Sequence, residues 1–317
     1  LKILVTGGAG FIGSHLVQKL LQEGHDVTVV DNFDSFYPRQ AKEENVRSYA
    51  PHSCLRFIEG DLSDASTYNL LPSELDCIVH LAAKAGVRPS IEAPMDYVNA
   101  NLVATQLMLE YAVRIGTKQF VFASSSSVYG LCENAPWRED DGNLKPISPY
   151  AATKLSNEYM GHVYSNVYNL RFVGLRFFTV YGPRQRPDLA INKFVNQIKR
   201  GDVVRLFGDG STLRDYTFID DIVDGIYRAM YYEGSRFRIF NLGYGNPVKL
   251  LDMVKIVEEN LGIPAVIEFA EEQSGDVPLT WASIERARSE LGYHPVVNIS
   301  EGISRYISWI NGGTKSS

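Results

Sequence analysis

Tyr150 and Lys154 stand four residues apart, 25 residues beyond Ser125 in the serine run Ser124–Ser127. On a helix that spacing puts both side chains on one face. An ammonium beside a phenol favours the phenolate and lowers its pKa. The phenolate can then take the proton of a hydroxyl while hydride leaves the same carbon, and Ser125 can hydrogen-bond that oxygen. Tyr-x-x-x-Lys alone is common by chance. Its meaning here comes from the opening run Thr6-Gly7-Gly8-Ala9-Gly10-Phe11-Ile12-Gly13. Glycines at this spacing permit a tight turn, close backbone approach to a pyrophosphate and tight helix–strand packing. The helix that follows offers free N–H groups and a positive dipole end to phosphates.

These residues need a scaffold, and the first 180 residues supply an alternation of apolar runs and amphipathic stretches. Strands are expected at Lys2–Thr6, Asp26–Asp31, Leu55–Glu59, Cys77–Leu81, Gln119–Ser124 and Phe172–Phe178. Helices are expected at Ile12–Gln22, from about Asn99 to Arg114, and at Tyr150–Asn169. Such alternation specifies an α/β fold, a doubly wound parallel sheet with helices on both faces. Beyond Thr179 the elements shorten and Gly and Pro become frequent. A helix is expected at Asp220–Tyr232, a strand at Phe237–Leu242 returning to the main sheet, and a last helix at Ser300–Asn311. The resulting division is a cofactor-binding Rossmann domain, residues 1–178 plus 217–244, and a smaller α/β substrate domain, residues 179–216 plus 245–317.

Asp31 ends the second strand 18 residues after Gly13, where a carboxylate binds both ribose hydroxyls of an adenosine and repels a 2′-phosphate. NAD is therefore favoured over NADP. The ends of the parallel strands, and for Asn99 the start of a helix, carry the remaining cofactor candidates. These are Asn32 beside Asp31, Asp61 and Leu62 flanking adenine, Leu81, Ala82, Ala83 and Lys84 along the second ribose and pyrophosphate, and Asn99 and Ser124.

The chain has 317 residues, 45% hydrophobic and 21% charged, which suits one large α/β domain and a smaller one. No apolar run is long enough to span a membrane, and the first strand begins without a basic, apolar leader. Cys54, Cys77 and Cys132 are too scattered for a disulfide framework or zinc site, which fits a reducing cytoplasm. The histidines show no metal-ligand spacing, and His80 reads as structural. A net charge of −6 argues against nucleic acid. Within that acidic chain, residues 184–214 hold seven bases against three acids.

With these motifs the chain resembles the extended short-chain dehydrogenase/reductase family over nearly its whole length. The glycine run, His80-Leu81-Ala82-Ala83, Ser127-Val128-Tyr129-Gly130, Tyr150–Lys154 and Arg214-Asp215-Tyr216-Thr217-Phe218-Ile219-Asp220-Asp221 carry the resemblance. It implies tightly held NAD, a nucleotide-sugar substrate, and a homodimer whose four-helix bundle uses the helices starting near Asn99 and Tyr150. Dehydratases of the family carry Asp-Glu where this chain has Ser126-Ser127, and decarboxylases carry Glu at the second position. Small residues there are the epimerase pattern.

Among epimerases, Thr179 in place of Asn, Arg186-Pro187-Asp188 and Gly275-Asp276-Val277-Pro278 resemble the UDP-glucuronate 4-epimerases. That resemblance gives Arg186 a reason. Oxidation at C4 of a uronate makes a β-keto acid, and a guanidinium fork can hold its carboxylate away from the geometry of CO₂ loss. It also implies sugar contacts at Arg88, Ser126, Ser127 and Thr179, a path lined by Lys193 and Phe194, and uracil near Leu206. Arg214 would meet the diphosphate and Asp276 the uridine ribose. Gln273 stands where the family commonly has an arginine, which removes one diphosphate contact. The rival readings are a UDP-glucose or UDP-N-acetylglucosamine 4-epimerase and a non-catalytic NAD-binding scaffold.

Overall fold

The computed structural model describes residues 1–132, 134–142, 144–271 and 277–312. Seven strands form one parallel sheet in the spatial order Phe237–Leu242, Arg171–Phe177, Gln119–Ser125, Cys77–His80, Lys2–Thr6, Asp26–Asp31, Leu55–Glu59. The chain builds outward from Lys2–Thr6 in both directions, so the order reverses beside that strand. Ligands bind at such a switch point in open α/β sheets.

Alternation along Lys2–Thr6 feeds both faces of the sheet. Ile3 and Val5 join the core shared with Leu16, Leu20, Ile222 and Ile226, on the helices Phe11–Gln22 and Ile219–Met230. Leu4 joins Ile78, Phe120, Phe122 and Phe172 under Met108 and Tyr164, on the helices Ala104–Arg114 and Pro149–Tyr168. Ile3, Leu4 and Val5 are fully buried.

The later chain makes small paired elements. Thr179–Tyr181 runs parallel to Tyr216–Phe218, and Val203–Phe207 parallel to Val266–Ala270. Leu213–Arg214 pairs antiparallel with Val248–Lys249. Two aspartates of the 214–221 motif staple this region. Asp215 accepts from the N–H groups of Tyr244 (2.8 Å), Gly245 (3.0 Å) and Ala282 (3.0 Å). Asp221 accepts from those of Val296 (3.0 Å) and Val297 (3.1 Å).

Three expectations change. The fourth strand stops at His80, because the N–H of Leu81 turns to the Thr6 hydroxyl at 3.1 Å. The helix expected from Asn99 begins as a wide π-type turn, Val98–Val103, and becomes α-helical only at Ala104. Within that turn Asn101 grips the main chain of Lys84, accepting from its N–H (2.8 Å) and donating to its carbonyl (3.0 Å). A helix at Ala190–Arg200 was not expected, although Ile191, Phe194, Val195 and Ile198 bury a stripe at helical spacing. Among the described residues, no helix is long and apolar enough to cross a membrane, and no group of three or more His, Cys, Asp or Glu could hold a metal ion.

Candidate active site

One cavity lies along the carboxyl ends of the central strands, and every cofactor residue expected from the sequence lines it. Its floor is the glycine run. Gly7 has φ +71°, and a Cβ there would lie 2.9 Å from the Ala82 nitrogen. A Cβ on Gly13 would lie 2.1 Å from the Gly7 carbonyl oxygen, so the helix could not approach the turn. The cradle is thus open only because both positions lack a side chain. Such a cradle fits a dinucleotide pyrophosphate.

At the adenosine end, Asp31 is buried and pinned by the N–H groups of Ala9 (3.1 Å) and Phe33 (2.8 Å), one to each oxygen. Each oxygen keeps a lone pair for a ribose hydroxyl. Lys42, which sequence patterning did not single out, lies 3.7 Å from Asp31 and also lines the cavity. Asp61 accepts from the Ser63 N–H and hydroxyl and from the Asn32 amide. Burial alone would raise its pKa, but these donors together hold it below the usual carboxylate value.

The loop after His80 is locked from beneath. The Thr6 hydroxyl oxygen accepts from the N–H groups of Leu81 (3.1 Å) and Ala82 (3.0 Å). Its single hydrogen is then left for His80 Nδ1 at 2.8 Å. His80 must therefore carry its proton on Nε2, which faces the Thr105 hydroxyl at 3.0 Å. Burial first, and then the Lys154 charge, lower its pKa to about 3, so it stays neutral. The structural role expected for His80 is the one it plays. Lys84 lines the cavity with its ammonium between Asp34 (3.3 Å) and Asp96 (3.5 Å).

Ser148 caps the helix Pro149–Tyr168 by accepting from the Ala151 N–H at 3.1 Å, and Pro149 occupies the first turn. Tyr150 thus sits at a helix N-terminus, whose dipole favours an oxyanion. Its ring meets that of Tyr97 edge-on at 6.2 Å. The Lys154 ammonium lies 5.9 Å from the Tyr150 ring centre and donates to the Ala123 carbonyl at 2.7 Å. The fold adds forces on this pair that spacing does not show. Burial raises the Tyr150 pKa, and the forces opposing it are a Ser125 hydrogen bond and the Arg186 charge. Burial also lowers Lys154 to about 7, because a desolvated ammonium is costly. The Ser125 oxygen accepts from the Ser127 N–H (3.2 Å) and hydroxyl (2.9 Å). That directs the Ser125 hydrogen toward Tyr150. Ser127 thereby orients the Ser125 hydroxyl.

Beneath the serines lies a buried ion pair that sequence reasoning missed. Glu158 receives Arg176 Nε (2.9 Å) and Nη2 (2.8 Å) bidentately and the Ser124 hydroxyl at 2.5 Å. Arg176 stacks over the Tyr129 ring at 4.8 Å. The spacing Tyr150, Lys154, Glu158 is the helical signal that points to it.

The expected substrate residues divide. Arg186 lines the cavity and pairs bidentately with Asp188. Ser126 stands in the short turn Ser126–Tyr129, and Thr179 opens the Thr179–Tyr181 strand. Arg88 reaches over the Phe207 ring at 5.3 Å, and Arg214 donates to the Leu213 carbonyl at 2.9 Å. Lys193 lies on the helix Ala190–Arg200. Leu206 lies on the strand Val203–Phe207 and Phe194 on the helix Ala190–Arg200. Both are buried in the core, at 1% and 8% exposure, because strand alternation and helical spacing turn them inward. Asp276 and Gln273 lie outside the described residues.

The model of the NAD dependent epimerase/dehydratase family matches residues 3–243. A probable UDP-glucuronate 4-epimerase of Rhizobium meliloti is 38% identical, with 98% of this chain and 96% of that protein covered. The crystal structure of UDP-glucuronic acid 4-epimerase from Bacillus cereus, in complex with UDP-glucuronic acid and NAD, superposes with a TM-score of 0.93 at 37% identity, covering 98% and 99% of the two chains. The UDP-glucose 4-epimerase of Thermotoga maritima follows at a TM-score of 0.90 and 32% identity, covering 98% and 99%. With the glycine cradle, Asp31 and the Tyr150–Lys154 pair in one cavity, this chain belongs to the NAD dependent epimerase/dehydratase family.

Proposed function

We propose that this protein is an isomerase, an NAD-dependent epimerase that inverts C4 of UDP-glucuronate to give UDP-galacturonate. The observation that carries the choice of sugar is Arg186, a guanidinium lining the same cavity as Tyr150 and Lys154. A neutral hexose has no use for that charge, whereas a uronate carboxylate has. NAD, held by the glycine cradle and Asp31, would supply the acceptor for hydride from C4 and its return to the other face of the sugar. The protein does the rest. Tyr150 takes the O4 proton and later gives it back, and Ser125 donates to the same oxygen. Lys154, buried and polarised toward the Ala123 carbonyl, places a positive charge beside the phenol. Arg186 holds the carboxylate while the oxidised sugar turns.

Residues 1–178 plus 217–244 act as the cofactor lobe and the rest as the sugar-nucleotide lobe, with Arg88, Ser126, Ser127, Thr179, Lys193 and Arg214 facing the substrate. The assembly is a homodimer in the cytoplasm. Its support is an outward stripe on Pro149–Tyr168, where Tyr159 (64%), Val163 (46%) and Val167 (62%) are exposed at four-residue spacing. Two copies of that helix and of Ala104–Arg114 make a four-helix bundle.

The test offers UDP-glucuronate, UDP-glucose and UDP-N-acetylglucosamine separately and follows products by NMR. UDP-glucuronate is epimerised with the highest kcat/KM, and Arg186→Ala loses that preference. Conversion of the neutral sugars alone would overturn the choice of substrate. No conversion, with NAD still bound, would favour a scaffold.

A further inference from the structure

Arg186 does not stand alone. Its N-terminal neighbours fix the loop: Arg184, at φ +62°, donates to the Ser48 hydroxyl (2.5 Å) and to Gln18 Oε1 (3.0 Å) on the cofactor side of the molecule. The Leu189 N–H then donates to the Arg186 carbonyl at 3.2 Å, closing a turn with Pro187 at its second position. Proline fixes φ there, and the turn brings the side chains of residues 186 and 188 together. Asp188 takes Arg186 Nε at 2.9 Å and Nη2 at 2.8 Å, one to each carboxylate oxygen. The Phe36 ring covers the guanidinium at 5.2 Å.

The donor count decides what remains. A guanidinium has five N–H hydrogens. Asp188 uses the side-on pair, from Nε and Nη2. One hydrogen on Nη2 and two on Nη1 are left, and two of these form the end-on pair, the second edge able to grip a carboxylate. Arg186 lines the cavity, and Asp188 is not among the residues that do. The carboxylate therefore sits behind the arginine and not in the substrate's place. The pair is partly buried, with side chains 19% and 38% exposed. Its effect is on geometry, since a guanidinium held on one edge cannot rotate the other away.

We propose that Asp188 is a positioning residue for sugar specificity, holding Arg186 side-on so that its end-on edge receives the uronate carboxylate. This rests on UDP-glucuronate being the substrate. Loosening Arg186 frees the carboxylate of the 4-keto intermediate. The C5–C6 bond can then break and CO₂ leave, its electron pair staying on C5 as an enolate that takes a proton from water. The hydride taken from C4 is not returned, so one reduced cofactor is stranded for each CO₂ lost.

The test compares the parent with Asp188→Asn, Arg186→Ala and the double variant, each holding its NAD. Asp188→Asn is nearly isosteric, and its NAD content and melting temperature serve as folding controls. Measured on UDP-glucuronate, Asp188→Asn lowers kcat/KM about tenfold, the scale of a lost hydrogen bond to a charged group. It also raises CO₂ release and reduced-nicotinamide absorbance per epimerisation. In the Arg186→Ala background the same substitution has no further effect, as expected if Asp188 acts only through Arg186. An unchanged CO₂ ratio for Asp188→Asn, or effects that add in the double variant, would overturn the proposal while leaving the substrate reading intact. A parent inactive on UDP-glucuronate but active on neutral sugars would overturn both.

Discussion

Replacing Glu158 by Gln tests whether the serine floor of the site depends on a buried charge pair. The side chains of Arg176 and Glu158 are 3% and 5% exposed, and two N–H···O bonds plus the Ser124 hydroxyl converge on one carboxylate. A glutamine amide presents an NH₂ to a guanidinium that needs acceptors, and leaves the Arg176 charge uncompensated. Breaking a buried pair in this way costs about 3–5 kcal/mol. Unfolding entropy of about 2.1 cal/mol/K per residue over 317 residues makes each kcal/mol worth about 1.5 °C. The expected fall in melting temperature is then about 4–8 °C, with weaker NAD retention because Ser124 lines the cavity. Differential scanning calorimetry and fluorescence titration of NAD read the two effects. Removing both charges, as Glu158→Leu with Arg176→Met, costs less than Glu158→Gln, since no unpaired ion is left behind. A loss under about 1 kcal/mol for Glu158→Gln, or a double variant worse than the single one, would refute the reasoning.

Tyr150→Phe keeps the ring contact with Tyr97 but removes the proton acceptor, so kcat falls by about 10³ while NAD stays bound; retained turnover in the NMR assay would contradict that role. His80 titrates at about 3 in the folded chain and near 6.5 unfolded, so the unfolded state binds the extra proton between those values. Its contribution is intact above pH 6.5 and is lost as pH falls toward 3. His80→Gln should therefore flatten the decline of melting temperature across that window, and an unchanged slope would count against the buried neutral imidazole. Val167→Glu places a charge in the exposed stripe of Pro149–Tyr168 and should convert a dimer to monomer in sedimentation; an unshifted mass would move the interface elsewhere.

The cradle, Asp31, the strand-end loops and the Tyr150–Lys154 helix were legible in the sequence because each is a local arrangement. Glycines 7, 10 and 13 lie within one turn and the start of one helix, and Tyr150 and Lys154 lie one helical turn apart. Spacing along a regular element is enough to place such residues on a common face. The parallel, doubly wound sheet followed from the same alternation.

Other features were decided by tertiary contact. Arg176 meets Glu158 only because its strand lies beside Gln119–Ser125, under the helix that carries the carboxylate. The His80 tautomer follows from a threonine 74 residues earlier whose lone pairs are already taken. Burial, a property of the whole fold, pushes the Tyr150 phenol up and the Lys154 ammonium down, which spacing alone does not show. Leu206 and Phe194 lie inside a basic segment, and packing turns their side chains into the core. The sequence by itself determined which chemistry the site could carry. Only the folded chain decided how far each charge is from water, and that distance sets its pKa and its direction.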